Sequence, residues 1–398
     1  MRDGAGTTQI TVKKEGTDPA LFRCLTETPR ESVVEVVGSL RRSSRAHRGF
    51  EVVPSSAEVI APADVPLPLG VVDRVNVELD TRLNHRVLDL RKPAVREVFE
   101  IRAALLAGFR EAFARRGYLE VETPKILRQG AEGGATLFPI DYFGGRAFLA
   151  QSPQLYKQML IGAGFERVFE IAPAFRAEPS DTVRHLTEFT SLDAEVGYVS
   201  GPADVIDELE AVVRHAVGAV AERWSAAGRP LPAGWPDVAA PFPRIPFREA
   251  AEWLGRSGPP RDFGTDDERA LGEIVDRKFG APMYFLTEYP SAVKASTFYA
   301  RRLDDRPDVT GYFDLDLRGL EIASGGLREH RRDRLEANVR AAGLDPASFA
   351  GYLEAFRYGM PPHGGWGLGI DRLVQSLCGL SNVREARLFP RDRYRLEP

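Results

Sequence analysis

The stretch "FRAEPSDTVRHLTEF" at 175–189 packs Arg176, Glu178, Asp181, Arg184, His185 and Glu188 between two aromatic residues. An arginine fork matches phosphate oxygens, and a glutamate beside it either holds the fork or accepts from a ligand amine. Phe189 adds a flat ring for stacking. On its own the stretch is equally readable as a self-neutralising ion-pair lattice, so its neighbours in function matter. "GMPPHGGWGLGIDRLVQSL" (359–377) runs glycines 364, 365, 367 and 369 directly into a helix starting near Ile370. Glycine permits close backbone approach, a helix N-terminus attracts anions, and Arg372 in the first turn reaches back over a bound group. "YFDLDLRGLEIASGGLREH" (312–330) carries Asp314 and Glu321, then Ser324 and Arg328. Such hard oxygen donors suit Mg²⁺ beside phosphates, and Arg328 suits a substrate carboxylate. "AEGGATLFPIDYFGGRAFLAQSPQLYKQML" (131–160) joins a Gly-rich loop to Gln151, Ser152, Gln154 and Lys157, a set that fits a small zwitterion with an extra negative charge. Together the four stretches imply a nucleotide and a small acidic partner.

Competing chemistries lack their residues. The glycines do not follow G-x-G-x-x-G and no βαβ unit surrounds them, and no G-x-x-x-x-G-K-[ST] occurs. No Ser-His-Asp or Cys-His constellation is visible. The six histidines are scattered without H-E-x-x-H, so zinc catalysis is not expected.

The elements that must position these residues are legible as patterns. Residues 7–14, 32–40 and 49–62 are β-branched runs separated by turns, read as part of a small β-barrel. Between the last two lies "LRRSSRAHR", either a solvated loop or a phosphate-contacting patch. A Pro-rich, then charged, linker follows. From Pro93 the apolar residues Val95, Val98, Phe99, Ile101, Leu105, Leu106, Phe109 and Phe113 recur at helical spacing, with Pro93 at the start and Gly117 as the stop. "GYLEVETPKIL", "RAFLAQSP", "RVFEIAPAFRAE", "EFTSLDAEVGYV", "PMYFLTEYP" and "YFDLDLRGLEIASG" read as strands. The strand-like flanks of 175–189 make that stretch a hairpin, with Arg176 and Glu178 on one strand and Arg184, Leu186 and Glu188 on the other. Helices are expected at 202–226, 326–342 and 346–357, with no strong pattern over 227–262. Long strands interleaved with helices indicate α+β.

With 398 residues, 43% hydrophobic and 28% charged, the chain is sized for two or three domains with a sizeable core. A net charge of −4 excludes a bulk polycation, so any nucleic-acid contact must come from local patches. Two distant cysteines, Cys24 and Cys378, exclude a disulfide framework and fit a reducing cytoplasm. No apolar run approaches ~20 residues, so no membrane span is expected.

"GYLEVETP", "FRAEPSDTVRHLTEF" and "GLGIDRL" resemble motifs 1, 2 and 3 of the class II aminoacyl-tRNA synthetases, in order and spacing, across roughly 90–398. "AQSPQLYKQ", "EGGATLFPIDYFG", "EIASGGLREH" and the terminal "LFPRDRYRLEP" are similar to the aspartyl branch in its archaeal form. The resemblance implies an antiparallel sheet flanked by helices at 93–398, a linker or hinge at 71–92, and a partial OB-type, anticodon-binding barrel at 1–70. It implies a homodimer, ATP and Mg²⁺, and L-aspartate and tRNA(Asp), with tRNA(Asn) a further acceptor. ATP would bind bent, with adenine between Phe189 and Arg372 and with Arg176 on the α-phosphate. Ala177, Glu178, Arg184, His185, Leu186, Gly369, Ile370 and Asp371 would complete its site. Glu321 and Ser324, with Asp314, would hold Mg²⁺. Aspartate would lie on Gln154, its side-chain carboxylate read by Lys157 and Arg328, its ammonium met by Glu132.

Two departures from the family pattern stand out. "RDGAGTTQITV" resembles the middle of the barrel, so the barrel's first strands are expected to be missing. Leu327 stands beside Arg328 where the family typically has glutamine, a change expected to loosen the aspartate site or to alter its choice of substrate. A paralog passing activated aspartate to a small amine is therefore the alternative to a tRNA ligase.

Overall fold

In the computed structural model, residues 1–398 are described except 5, 73–75, 130–136 and 179–181. The chain divides into two units, Met1–Val77 and Glu78–Pro398.

In the first unit the long strands Val33–Arg42 and Phe50–Ala61 pair antiparallel, and Gln9–Ile10 adds a short parallel neighbour to the second. Strand over 7–14 is thus only partly realised. A helix at Pro19–Glu27, capped by the Asp18 carboxylate on the Ala20 and Leu21 amides, was not visible in the β-branched pattern. In the basic loop, Arg41 is tied to Glu51 (Nε to Oε1 2.9 Å), and Arg41, Arg42, Arg45 and Arg48 are all exposed.

The second unit is built on an eight-stranded sheet. Its strands in chain order are β1 (Leu119–Glu120), β2 (Arg167–Phe175), β3 (Glu188–Gly197), β4 (Arg244–Pro246), β5 (Met283–Thr287), β6 (Tyr312–Leu317), β7 (Leu320–Leu327) and β8 (His363–Gly369). The spatial order is β4-β5-β6-β7-β8-β3-β2-β1, antiparallel except for the β1–β2 and β4–β5 pairs. Helix α1 (Pro93–Arg115) forms as its spacing predicts, and its apolar stripe packs on the sheet and on α3 (Pro202–Ala226). Gly108 allows that crossing: a Cβ there would stand 3.0 Å from the Ala216 Cα. Helix α2 spans Gln154–Gly162, α4 Thr265–Phe279 and α5 Ile370–Leu377.

The glycines at 364, 365, 367 and 369 lead directly into α5, as expected, and they do so from within β8, a central strand. Side chains would not fit there: a Cβ on Gly365 would run into the Glu195 carboxylate and the Ala194 carbonyl. Two expectations are corrected. Helix does not start at 326. The β7 ladder continues to Leu327 and the helix spans Arg332–Ala341. Arg176, Glu178, Arg184 and Leu186 are not in strands. The hairpin ladder ends at the Phe175–Glu188 pair, and these residues lie in the connection beyond it. The patternless 227–262 contains β4 and a helix at Phe247–Trp253.

Candidate active site

The β2–β3 connection, strand β7 and the start of α5 open onto one cleft of about 620 Å³. The connection supplies Arg176, Glu178, Arg184, His185 and Leu186; β3 supplies Phe189, Ser191 and Asp193; β7 supplies Glu321 and Ser324, and Arg328 follows it. Gly369, Asp371 and Arg372 come from the start of α5, and Gln154 from the start of α2.

At one end the charged groups are half-open. Arg372 donates to the carbonyl oxygens of Arg184 (3.3 Å) and Glu321 (3.1 Å), lies 3.3 Å from His185 Nε2 and 3.7 Å from the Glu321 carboxylate. His185 Nδ1 sits 2.6 Å from the Thr182 hydroxyl. Burial, then the adjacent Arg372 charge, pushes the His185 pKa down. Arg184 is paired with Glu268 of α4 at 2.6 Å. The Arg176 guanidinium lies over the Phe189 ring, 5.3 Å from its centroid. Glu321 is pushed up to about 7 by burial and by Asp314, against the pull of Arg372 and Lys294. Its side chain is 39% exposed, but the exposure is to a concave floor. Negative charge is therefore in excess there. Asp314 stands behind Glu321: one oxygen receives the Tyr289 hydroxyl and lies 3.5 Å from Lys294, and the other is buried with no hydrogen-bond partner. Among the described residues no three His, Cys, Asp or Glu side chains gather closely enough to hold a metal by themselves. Two carboxylates, one of them with an orphaned oxygen, and Ser324 fit a cation that also takes ligand oxygens and water.

The other end is buried. Glu195, wholly inaccessible, accepts from Arg328 (2.9 and 3.4 Å) and lies 3.5 Å from Lys157. Burial opposes the charge on Glu195, but Arg328 and Lys157 outweigh it and hold the carboxyl below its ordinary range. The reciprocal attraction overrides burial at Arg328 and raises its pKa. Lys157 Nζ reaches Asp193 Oδ1 (3.0 Å), Trp366 O (2.9 Å) and Ala194 O (3.4 Å). Arg328 keeps one buried terminal nitrogen, Nη1, without a hydrogen-bond partner while lining the cleft. An orphaned buried guanidinium nitrogen is a standing demand for an acceptor.

The sequence-predicted residues are therefore mostly brought together, with exceptions. Lys157 lies behind the cleft wall, engaged by Asp193 and two carbonyls. Ile370 is in the core, Asp314 lies one layer behind the floor, and Ala177 is outside the lining. Asp371 touches the cleft but is held by Arg102 (2.7 Å) and the Thr190 amide (2.7 Å). Glu132 falls outside the described residues. Leu327 points away from the cleft and packs against Gly311 in the core, so it takes no place in the lining. Sequence reasoning missed Asp193, Ser191, Lys294 and Glu268. Asp193 and Ser191 were inside a quoted strand whose alternation carried the signal. Lys294 and Glu268 lie far from every motif and had none.

Residues 78–393 match the family model of class II tRNA synthetases for aspartate, lysine and asparagine. The chain belongs to this family. An aspartate–tRNA(Asp) ligase of Thermococcus kodakarensis is 44% identical over 402 residues, covering all of this chain and 91% of the relative. An aspartate–tRNA(Asp/Asn) ligase of Archaeoglobus fulgidus is 46% identical over 405 residues, covering all of this chain and 92% of the relative. The asparaginyl-tRNA synthetase of Pyrococcus horikoshii, solved with asparaginyl-adenylate, superposes with a TM-score of 0.91 at 33% identity over all of this chain and 91% of its own. The class II synthetase fold, α+β with an antiparallel-rich sheet flanked by helices, is thus the one observed. No described helix is long and apolar enough to cross a membrane.

Proposed function

We infer that this class II synthetase activates L-aspartate with ATP and transfers it to the 3′ end of tRNA(Asp). The observation that carries the aspartate reading is Arg328, a buried cation with an unsatisfied nitrogen at the dry end of the cleft. The side-chain carboxylate of aspartate supplies the missing acceptor. Lys157 joins the grip by exchanging its long bond to Ala194 for the same carboxylate. Asparagine would present a neutral amide, a weaker acceptor for the open Arg328 nitrogen and one whose NH2 sets donor against donor, a basis for rejection. Gln154 and Asp193 offer acceptors to the substrate ammonium, with Glu132 adding another. With its side chain fixed there, the α-carboxylate points toward Arg176.

ATP lies at the half-open end, its adenine between Phe189 and Arg372, its α-phosphate on Arg176, and its remaining phosphates near Arg184 and His185. Glu321 and Ser324, backed by Asp314, would hold Mg²⁺, which neutralises phosphate charge when bound. The substrate carboxylate attacks the α-phosphorus in line, and the bond to the bridging oxygen breaks to release pyrophosphate. A terminal ribose hydroxyl of tRNA then attacks the aspartyl carbonyl of the adenylate, and AMP leaves. No covalent enzyme intermediate is required. Arg176 and Arg372 act by placing the reactants and by meeting charge that builds on the phosphoryl oxygens.

The residues at 1–70 are proposed to take the anticodon, with Arg42, Arg45 and Arg48 on the phosphates. Homodimerisation and a cytoplasmic location complete the reading. Transfer to a small amine is not favoured, since the ligase relatives match over the whole chain. The test is aspartate-dependent ATP–pyrophosphate exchange run beside transfer of labelled aspartate to tRNA(Asp) and tRNA(Asn) transcripts. Exchange with charging of tRNA(Asp) is expected. Charging of tRNA(Asn) as well would place the protein with the Asp/Asn ligases, and exchange without any charging would overturn the tRNA step.

A further inference from the structure

Behind Gln154 lies a chain of buried polar side chains that the reaction does not use directly. His363, at the start of β8, is 1% exposed, and its Nδ1 lies 2.8 Å from the Pro361 carbonyl oxygen. A carbonyl only accepts, so Nδ1 carries the proton. Burial pushes the ring down to about 4, leaving it neutral with a bare Nε2. The side-chain nitrogen of Gln158, 0% exposed, lies 2.9 Å from Nε2 and must donate to it. The Gln158 oxygen then faces the other way, accepting from the Tyr352 hydroxyl (3.0 Å) and from Gln154 Nε2 (3.0 Å). With its nitrogen committed inward, Gln154 turns its carboxamide oxygen toward the cleft that it lines. One backbone carbonyl thus settles a tautomer and two amide orientations. In water either amide would flip freely; at 4% exposure or less each flip would set donor against donor or acceptor against acceptor.

We propose that His363, acting through Gln158, is a positioning residue that locks the Gln154 oxygen toward the substrate, so that the site selects for an α-ammonium group. The proposal rests on the reading that Gln154 meets the amino acid.

The experiment uses the full chain and two non-hydrolysable sulfamoyl adenylate analogues, one aspartyl and one succinyl, which lacks only the α-amino group. Their affinities are measured for the parent protein and for His363→Leu, His363→Gln, Tyr352→Phe and Gln154→Leu, together with KM for aspartate and for ATP in pyrophosphate exchange. In His363→Leu, Gln158 loses its acceptor. The aspartyl-over-succinyl preference should fall about 10- to 30-fold, with KM for aspartate rising in step, as for loss of a hydrogen bond to a charged group. KM for ATP should stay within about 2-fold. His363→Gln puts an amide oxygen near the Nε2 position and should recover the preference to within about 3-fold. Equal losses for the two analogues, or no recovery with glutamine, would overturn the proposal. Should His363→Leu fail to fold, Tyr352→Phe removes one donor to the Gln158 oxygen and should cut the preference about 2- to 4-fold; an unchanged preference overturns the relay. Gln154→Leu separates the two levels. If it keeps the parent preference, the reading of Gln154 itself fails. If it loses the preference while His363→Leu keeps it, only the relay fails.

Discussion

At the aspartate end of the cleft, Lys157, Asp193, Glu195 and Arg328 are all at most 5% exposed and neutralise one another, two cations against two carboxylates. At the ATP end, the Arg184, Glu268, Arg372 and Glu321 side chains stand between 18% and 39% exposed, in pairs from 2.6 to 3.7 Å. The first arrangement exists complete before substrate arrives, apart from one guanidinium nitrogen. The second is loose and waits for phosphates and a cation. Buried pairs are expensive to break singly, about 3–5 kcal/mol, because an unpaired charge remains; half-exposed pairs contribute about 0–1 kcal/mol. Small-substrate selection is thus tied to the fold itself, and nucleotide handling is largely separable from it.

The largest effect should come from breaking the buried end. Arg328→Gln strands Glu195, so aspartate-dependent exchange should fall about 10³-fold and unfolding stability by about 3–5 kcal/mol. Adding Glu195→Gln should restore most of the stability but not the exchange. Urea titration beside kinetics reads both, and a stable, inactive single variant would show that the two ends do not differ as described. Next comes Arg372→Ala at the open end. Exchange should fall about 10²- to 10³-fold, as for loss of one preorganised cation, while stability changes by less than about 1 kcal/mol.

The same contrast explains what the sequence made legible. Arg176, Arg184, Phe189 and Arg372 announce themselves through residue type within short motifs, and the cleft does assemble them. Long elements with strong periodicity, α1 and α3 above all, were equally readable because burial of one stripe decides them. Strand β8 was not read because glycine lowers strand propensity. The reason for the strand is tertiary: Glu195 fills the space where a Gly365 side chain would stand. The tie of Lys157 to Asp193 and Trp366 joins residues 36 and 209 positions apart, and the Arg184–Glu268 pair spans 84. Partners that distant leave no local pattern. Leu327 shows the reverse error. Its place beside Arg328 suggested a site role, yet its side chain goes to the core.

A smaller, more specific effect concerns Glu321. Its folded pKa is raised to about 7 from an ordinary 4.5, chiefly by burial and Asp314. Between these values the folded protein keeps a proton that the unfolded chain has lost, so this group's contribution to stability falls as pH rises from about 4.5 through about 7. Mg²⁺–ATP bound beside it should lower the pKa again and expel the proton. Calorimetric titration at pH 7, in buffers of different ionisation enthalpy, should read a release of about half a proton. Glu321→Gln should abolish the release. Proton uptake on binding would contradict the charge excess assigned to this floor.

The gentlest probe is Glu268 of α4, which holds Arg184 by a pair only 18% and 22% exposed. In the free protein Glu268 competes with phosphate for the same guanidinium. Glu268→Gln keeps the shape and removes the competitor, so KM for ATP should drop about 2- to 5-fold, the scale of a weak, partly solvated pair. The gain should shrink as salt rises toward 0.5 M, because the contact remains open to ions. KM for aspartate should not move, since the buried end draws its counter-charges from Asp193 and Glu195, not from Glu268. If KM for ATP rises instead, Glu268 orients Arg184 for phosphate rather than opposing it, and the open end is more preorganised than its exposure indicates.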